Sequence, residues 1–350
     1  MRQVNFPALT GIRVLAAYMV YLHHFNPFKA EVFGASVHYF FDGFHVGVTL
    51  FFVLSGFLIT HRYYDSVDFD FKSYLQKRLA RIYPMYFILT SLTFILGYYF
   101  FKSYGGLGNY FLNITFLRGF FDDLKFSGIA QGWTLTVEES FYFLAPLFFI
   151  GIKKCKWMVV VIPFCFILLG TLLVEIFENF AFYGFMNNIN FMLGYTFFGR
   201  IFEFFVGVAL GLLLKKNSNY NFNFFTVVGV LGILFSIYFL SILENHPDSE
   251  LLFIQKSIIN SVLLPVFGIM PLFYGLIKEK TAFSKVLGSD FFILLGKSSY
   301  VFYLIHIGFF RTFLNTISTN YFFIFLSLNI IAIALYFYVE KPLNSYFRRI

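Results

Sequence analysis

The chain has 350 residues, 59% of them hydrophobic and only 13% charged, with 57 phenylalanines and a formal net charge of +8. A soluble globular domain carries roughly 25% charged residues, so this composition excludes an ordinary soluble fold. The positive balance is not a nucleic-acid signal either, because basic residues of a membrane protein collect on its cytoplasmic loops.

Apolar runs of about 20 residues, the length that spans a bilayer, recur from end to end. Spans are expected near residues 8–27, 44–61, 82–102, 133–152, 157–176, 195–214, 224–243, 257–277, 291–314 and 320–340. The expected fold class is therefore all-α, a polytopic transmembrane helical bundle of about ten spans.

The first run, "GIRVLAAYMVYLHHF", carries Arg13, His23 and His24. It has no small-residue cleavage site, so it reads as a membrane helix and not as a signal peptide. A charge at the bilayer centre costs at least a few kcal/mol, and such residues default to functional roles. Arg13 and His24 are eleven residues apart. At about 100° per residue they share a face, separated by roughly 16 Å along the axis. His23 is turned about 100° away.

In the second run, "FFVLSGF", the small Ser55 and Gly56 let a neighbouring backbone approach closely. "KRLAR" follows, with Arg78 and Arg81 at i and i+3, hence neighbours on one helix face. Two guanidinium groups so placed fit a phosphate clamp; they fit a pair of topology determinants equally well. The connection at about 103–132 is aromatic (Tyr110, Phe111, Phe116, Phe120, Phe121) and is expected to lie against the membrane or dip into the bundle.

Farther on, Trp133 can be an interfacial anchor or a site residue, and Glu138 and Glu139 stand side by side in the fourth span. Cys155 and Cys165 give neither a disulfide framework nor metal-ligand spacing, and no metal is expected. Arg200 and Glu203 are three apart and can form an ion pair. His306, in the ninth span, can be a functional group or a helix–helix hydrogen-bonding residue.

Loop charge sets the orientation. With the N-terminus in the cytoplasm, the inner segments hold Arg2, Arg62, Lys72, Lys77, Arg78, Arg81, the lysines at 153, 154 and 156, and further basic residues to Arg349. The outer ones hold Lys29, Lys102, Arg118, Lys125, Lys256 and Arg311. The inner excess places both termini in the cytoplasm. This topology brings His24, Glu138, Arg200, Glu203 and His306 to the outer level and Arg78 with Arg81 to the inner one. Residues 1–350 read as a single integral-membrane domain with no fused soluble domain.

Several blocks then match one family. "LTGIRVLAAYMVYLHHF", "GVTLFFVLSGFLIT", Arg78-Leu-Ala-Arg81 before "IYP", "WTLTVEESFYFLAPL", "GRIFEFFVG", "SYVFYLIH" and "VEKP" occur in order from about Ala8 to Pro342. Together they resemble the membrane-bound acyltransferase-3 family, which includes bacterial O-antigen and exopolysaccharide O-acetyltransferases. Thr49 stands where members often carry Asp, and Thr134 where Ser is usual. The resemblance implies acetyl-CoA as acyl donor and, as acceptor, a hydroxyl of an extracytoplasmic or lipid-linked glycan such as lipopolysaccharide. The setting is a multi-pass protein of the inner (plasma) membrane, among lipids and without nucleic acid. It makes His24 the proton acceptor or acyl carrier, with Glu138 orienting the imidazole. Arg13 would serve the pantetheine carbonyls or a developing oxyanion, and Arg78 and Arg81 the CoA phosphates. Ser55, Trp133, Arg200, Glu203, Tyr303 and His306 complete the candidate set. The alternative is a transporter or exporter of a polysaccharide unit or acyl group. Transporters commonly show internal repeats and paired broken helices, and the sequence displays neither. Oligomeric state is not set by the sequence.

Overall fold

Helices account for the architecture of the computed structural model, which describes residues 6–66, 69–101, 105–216, 224–246 and 249–348. Arg2, Lys102 and Arg349, used above in the charge balance, lie outside them. Among the described residues there is no strand, only an isolated bridge between Phe121 and Phe185. Among the described residues, eight helices are long and apolar enough to cross a membrane, or nine if one bent pair counts as a span. These coincide with the second to tenth expected spans. The first is the 18-residue helix Pro7–His24, which is not in that set and holds Arg13 and both histidines. The chain is an all-α polytopic bundle, and its residues cluster into two units.

The first unit comprises Met1–Arg62 and Phe202–Ser299. Helix Pro7–His24 opens with proline in its first turn, where the missing N–H has no helical partner to lose. The core joins Val53 and Phe57 of helix Gly47–Tyr63 to Leu210, Ile237, Leu240 and Phe273. The small residues of "FFVLSGF" act as expected. A Cβ on Gly56 would collide with the Phe204 carbonyl, and one on Gly207 with the Val53 carbonyl, so the two backbones touch and gain dispersion contacts along a seam. Helix Phe225–Glu244 is capped from a distance: Phe225 N and Thr226 N donate to the Glu279 carboxylate at 2.7 and 3.0 Å. Residues Ile259–Ile269 form a π-helix, with Pro265 inside it.

The second unit comprises Tyr63–Ile201 and Tyr300–Ile350. Helices Phe71–Phe101 and Trp133–Lys154 run antiparallel. The Tyr74 hydroxyl donates to the Tyr142 carbonyl at 2.8 Å, and twelve residues later Tyr86 packs beside Gly132. The aromatic connection dips inward. Asn113 is fully buried and accepts from the Tyr86 hydroxyl through its carbonyl (2.9 Å), and Thr136 donates to the Phe116 carbonyl at 2.6 Å. Three 3-10 turns, Leu117–Phe120, Asp122–Leu124 and Ala130–Gly132, carry the chain back to helix Trp133–Lys154.

The ninth span departs from expectation. It is not one helix over 291–314 but two, Asp290–Ile305 and Phe309–Ile317, bent by 87°. Gly308, at φ +94°, makes the corner, a backbone state that glycine adopts without steric penalty. The expected single helix at 291–314 is thereby corrected to a bent pair.

Candidate active site

In the first unit, Arg13 is half-buried and His24, the last residue of helix Pro7–His24, is exposed. The helix is regular, so the shared face of the two residues holds. His23 is occupied otherwise. Its Nδ1 donates to the Asp42 carbonyl at 2.6 Å, and its ring meets His45 edge-on at 5.5 Å. Asp42 is held in turn by Asn26 (2.9 Å) and His38 (3.2 Å). His23 therefore anchors the segment that follows the helix.

Two buried polar pairs lie in the same unit. Thr49 donates to Asn260 Oδ1 at 2.8 Å, and Ser261 donates to Glu203 Oε1 at 2.9 Å. Thr49 thus presents a hydroxyl engaged with an amide. Asn260 and Ser261 open the π-helix, an irregularity common at functional sites. Neither was legible in the sequence, because each is an ordinary polar residue with no charge to mark it. Ser55 is buried in the packed seam of helix Gly47–Tyr63.

In the second unit, Arg78 is only 6% exposed. Its guanidinium lies 5.7 Å from the Tyr63 ring centre and 5.9 Å from that of Tyr142. Arg81, one turn on, is half-buried. Among the described residues neither arginine has a carboxylate within ion-pair distance, and Arg78 Nε has no hydrogen-bond partner. Aromatic faces are the neighbours a weakly hydrated guanidinium tolerates. Its Nε–H remains available for an anion. Glu138 accepts from the Tyr142 hydroxyl one turn along helix Trp133–Lys154, so Glu138, Tyr142 and Arg78 form one chain of contacts. Glu139, half-buried, lies near Glu138 and Arg78.

A second polar cluster occupies the head of helix Trp133–Lys154. Gln131 Nε2 donates to the Tyr303 and Leu304 carbonyls at 2.6 and 2.8 Å, and His306 Nδ1 donates to the Tyr303 carbonyl at 2.7 Å. These donors satisfy carbonyls that the bend leaves without helical partners. Since a carbonyl only accepts, Nδ1 of His306 carries a proton in this contact. Thr134 and Tyr303 share a hydroxyl contact of 3.1 Å. Trp133 meets Tyr195 edge-on at 4.9 Å and stands 5.9 Å from the Arg200 guanidinium. Arg118 is fully buried at this same place. In the sequence it is a cation of an outer loop; the aromatic character of that connection marks the burial of the segment as a whole and not of the arginine itself.

A polytopic helical membrane protein with histidine, arginine and glutamate set into its helices is the class that these elements define. The family model described as "Acyltransferase domain" matches residues 6–339. The chain belongs to this family, the membrane acyltransferase-3 family. It is 36% identical over 102 residues to "Putative acetyltransferase ORF330" of Acidianus two-tailed virus, a match covering 29% of this chain and 30% of that one. It is 27% identical over 164 residues to "Peptidoglycan O-acetyltransferase OatA" of Listeria monocytogenes (42% and 25% covered). It is 28% identical over 160 residues to "O-acetyltransferase OatA" of Staphylococcus aureus (40% and 24% covered). The matched segment spans less than a third of each relative's length. No solved structure matches the chain.

Proposed function

We propose that the protein is a membrane O-acetyltransferase that moves an acetyl group from cytoplasmic acetyl-CoA to a hydroxyl of an extracytoplasmic or lipid-linked glycan in the plasma membrane. The observation that carries this reading is the Arg78–Arg81 pair: two guanidinium groups one turn apart with no carboxylate within ion-pair distance among the described residues. Such a pair suits the phosphates of CoA, which accept charge-assisted hydrogen bonds from arginine. Family membership and relatives named as O-acetyltransferases support the same chemistry.

In this reading His24 takes the proton of the attacking hydroxyl, since an imidazole titrates near working pH. Arg13, on the same helix face, serves the amide carbonyls of the pantetheine arm. Glu138 is a positioning residue that acts through Tyr142. The bent pair at His306 is the one observation that favours the alternative, a transporter built on broken helices. Purified protein in nanodiscs, given acetyl-CoA with and without bacterial glycan, separates the two. An acetyltransferase releases free CoA in a glycan-dependent way and leaves acetyl ester on the glycan. A transporter does neither.

A further inference from the structure

Arg118 has an environment that its neighbours do not explain. Its side chain is fully buried, and one nitrogen, Nη2, donates to the Ile129 carbonyl. Nε and Nη1 have no hydrogen-bond partner, and no carboxylate is within ion-pair distance among the described residues. Its titratable neighbours are the phenols of Tyr303 and of Tyr86, which lies within hydrogen-bonding reach of the guanidinium, and burial pushes its pKa below the usual guanidinium range. The position is built and not accidental. A Cβ on Gly132 would collide with Nη2, so the guanidinium occupies space that only glycine leaves open.

A buried charge with no counter-charge is strongly unfavourable. Buried unsatisfied polar groups call for a specific cause, and a catalytic role is one of them. Helix Phe71–Phe101 ties this place to the phosphate-binding arginines. Tyr86, against which Arg118 packs, is eight residues beyond Arg78, about 12 Å along the axis. A donor whose phosphates rest on Arg78 and Arg81 would send its pantetheine arm along this helix.

We propose that Arg118 is the binding site for the thioester carbonyl oxygen of the acyl donor and for the oxyanion that this oxygen becomes. This rests on the acetyl-CoA reading above. The acceptor hydroxyl oxygen bonds to the acetyl carbon, its proton goes to the general base, and the carbonyl π pair moves onto oxygen. That oxyanion is stabilised by Arg118 Nε–H and Nη1–H, donors already desolvated and so strong in their effect. Collapse re-forms the carbonyl and breaks the C–S bond. CoA leaves as thiolate and receives the proton. In the resting chain the guanidinium is sealed, so the connection at 105–132 yields to admit the thioester.

The test uses full-length protein and two stable CoA analogues: acetonyl-CoA, which keeps a carbonyl, and S-ethyl-CoA, which lacks it. Wild type is expected to bind acetonyl-CoA more tightly, roughly ten-fold to a hundred-fold, the scale of a charge-assisted hydrogen bond. Arg118→Gln and Arg118→Met should abolish that preference while S-ethyl-CoA affinity stays unchanged. Arg118→Met should also melt at or above the wild-type temperature, because it removes an unpaired buried charge, and yet lose acetyl transfer. Equal weakening of both analogues and of free CoA would make Arg118 a phosphate ligand and overturn the proposal. So would a preference retained in both variants, or wild-type turnover in Arg118→Met. If both variants fail to fold, a wild type without carbonyl preference overturns it by itself. A wild type that binds neither analogue and releases no CoA overturns the acetyl-CoA reading as a whole. Binding and turnover that are indifferent to residue 118 overturn only this inference.

Discussion

The Arg78 guanidinium lies over the Tyr142 ring at 5.9 Å, and the hydroxyl of that ring donates to Glu138. One tyrosine thus holds a cation by its face and an anion by its edge. The carboxylate is kept near the arginine without neutralising it by direct contact. Glu138→Gln is expected to lower acetyl transfer about ten-fold or more, the scale of a lost charged hydrogen bond. Glu139→Gln should lower it far less. Tyr142→Phe should fall between them, since it keeps the ring over Arg78 and loses the hydroxyl. Initial rates of CoA release, normalised to folded protein, check the order.

On the donor side, Arg78→Lys with Arg81→Lys keeps the positive charge but removes the planar fork that matches phosphate. Apparent affinity for acetyl-CoA is expected to fall roughly ten-fold to a hundred-fold, with protein level unchanged. Isothermal titration of the purified double variant measures it. Affinity equal to wild type would mean the arginines only set topology.

For the adjacent histidines, His24→Ala is expected to reduce transfer by roughly 10²–10⁴-fold, the usual contribution of a general base, with little change in melting temperature. His23→Ala loses the bond to the Asp42 carbonyl. It should cost about 0.5–1.5 kcal/mol of stability while retaining most activity. Thermal melts paired with glycan acetylation separate the two, and a dead, well-folded His23→Ala would reverse the assignment.

Gly56 packs directly under the Phe204 carbonyl. Gly56→Ala should force the two helices apart and cost about 1–3 kcal/mol, as overpacking does. Gly34→Ala is the contrast in space, since nothing lies within 4 Å of its Cβ position, though its φ of +88° still strains the backbone. Detergent-solubilised yield and melting temperature report the difference.

Much of this was readable from the residues. Long apolar runs marked the helices because a bilayer admits little else, and the shared face of Arg13 and His24 follows from helical pitch alone. Three features were not readable. The bend at His306 turns on the backbone angle of Gly308, and glycine is common in membrane helices whether or not they bend. Asn260 and Ser261 gain meaning only from Thr49 and Glu203, far away in the chain. Arg118 looked like any loop cation because burial is a property of the fold and not of a residue type. Sequence singled out charges inside spans and so passed over a charge carried in by a connection.

The π-helix at Ile259–Ile269 has a consequence for how this chain can vary. Its wider turn accommodates residues that an α-helix of the same rise would not hold. Deleting one residue within it would let the stretch relax to an α-helix and turn everything on one side by about 100°. Asn260 and Ser261 could then no longer meet Thr49 and Glu203 while Phe273 stayed in the core. Point substitutions in this stretch are local events, whereas a change of length by a single codon would rephase half a helix, so its tolerance to insertion and deletion should be far lower than its tolerance to replacement.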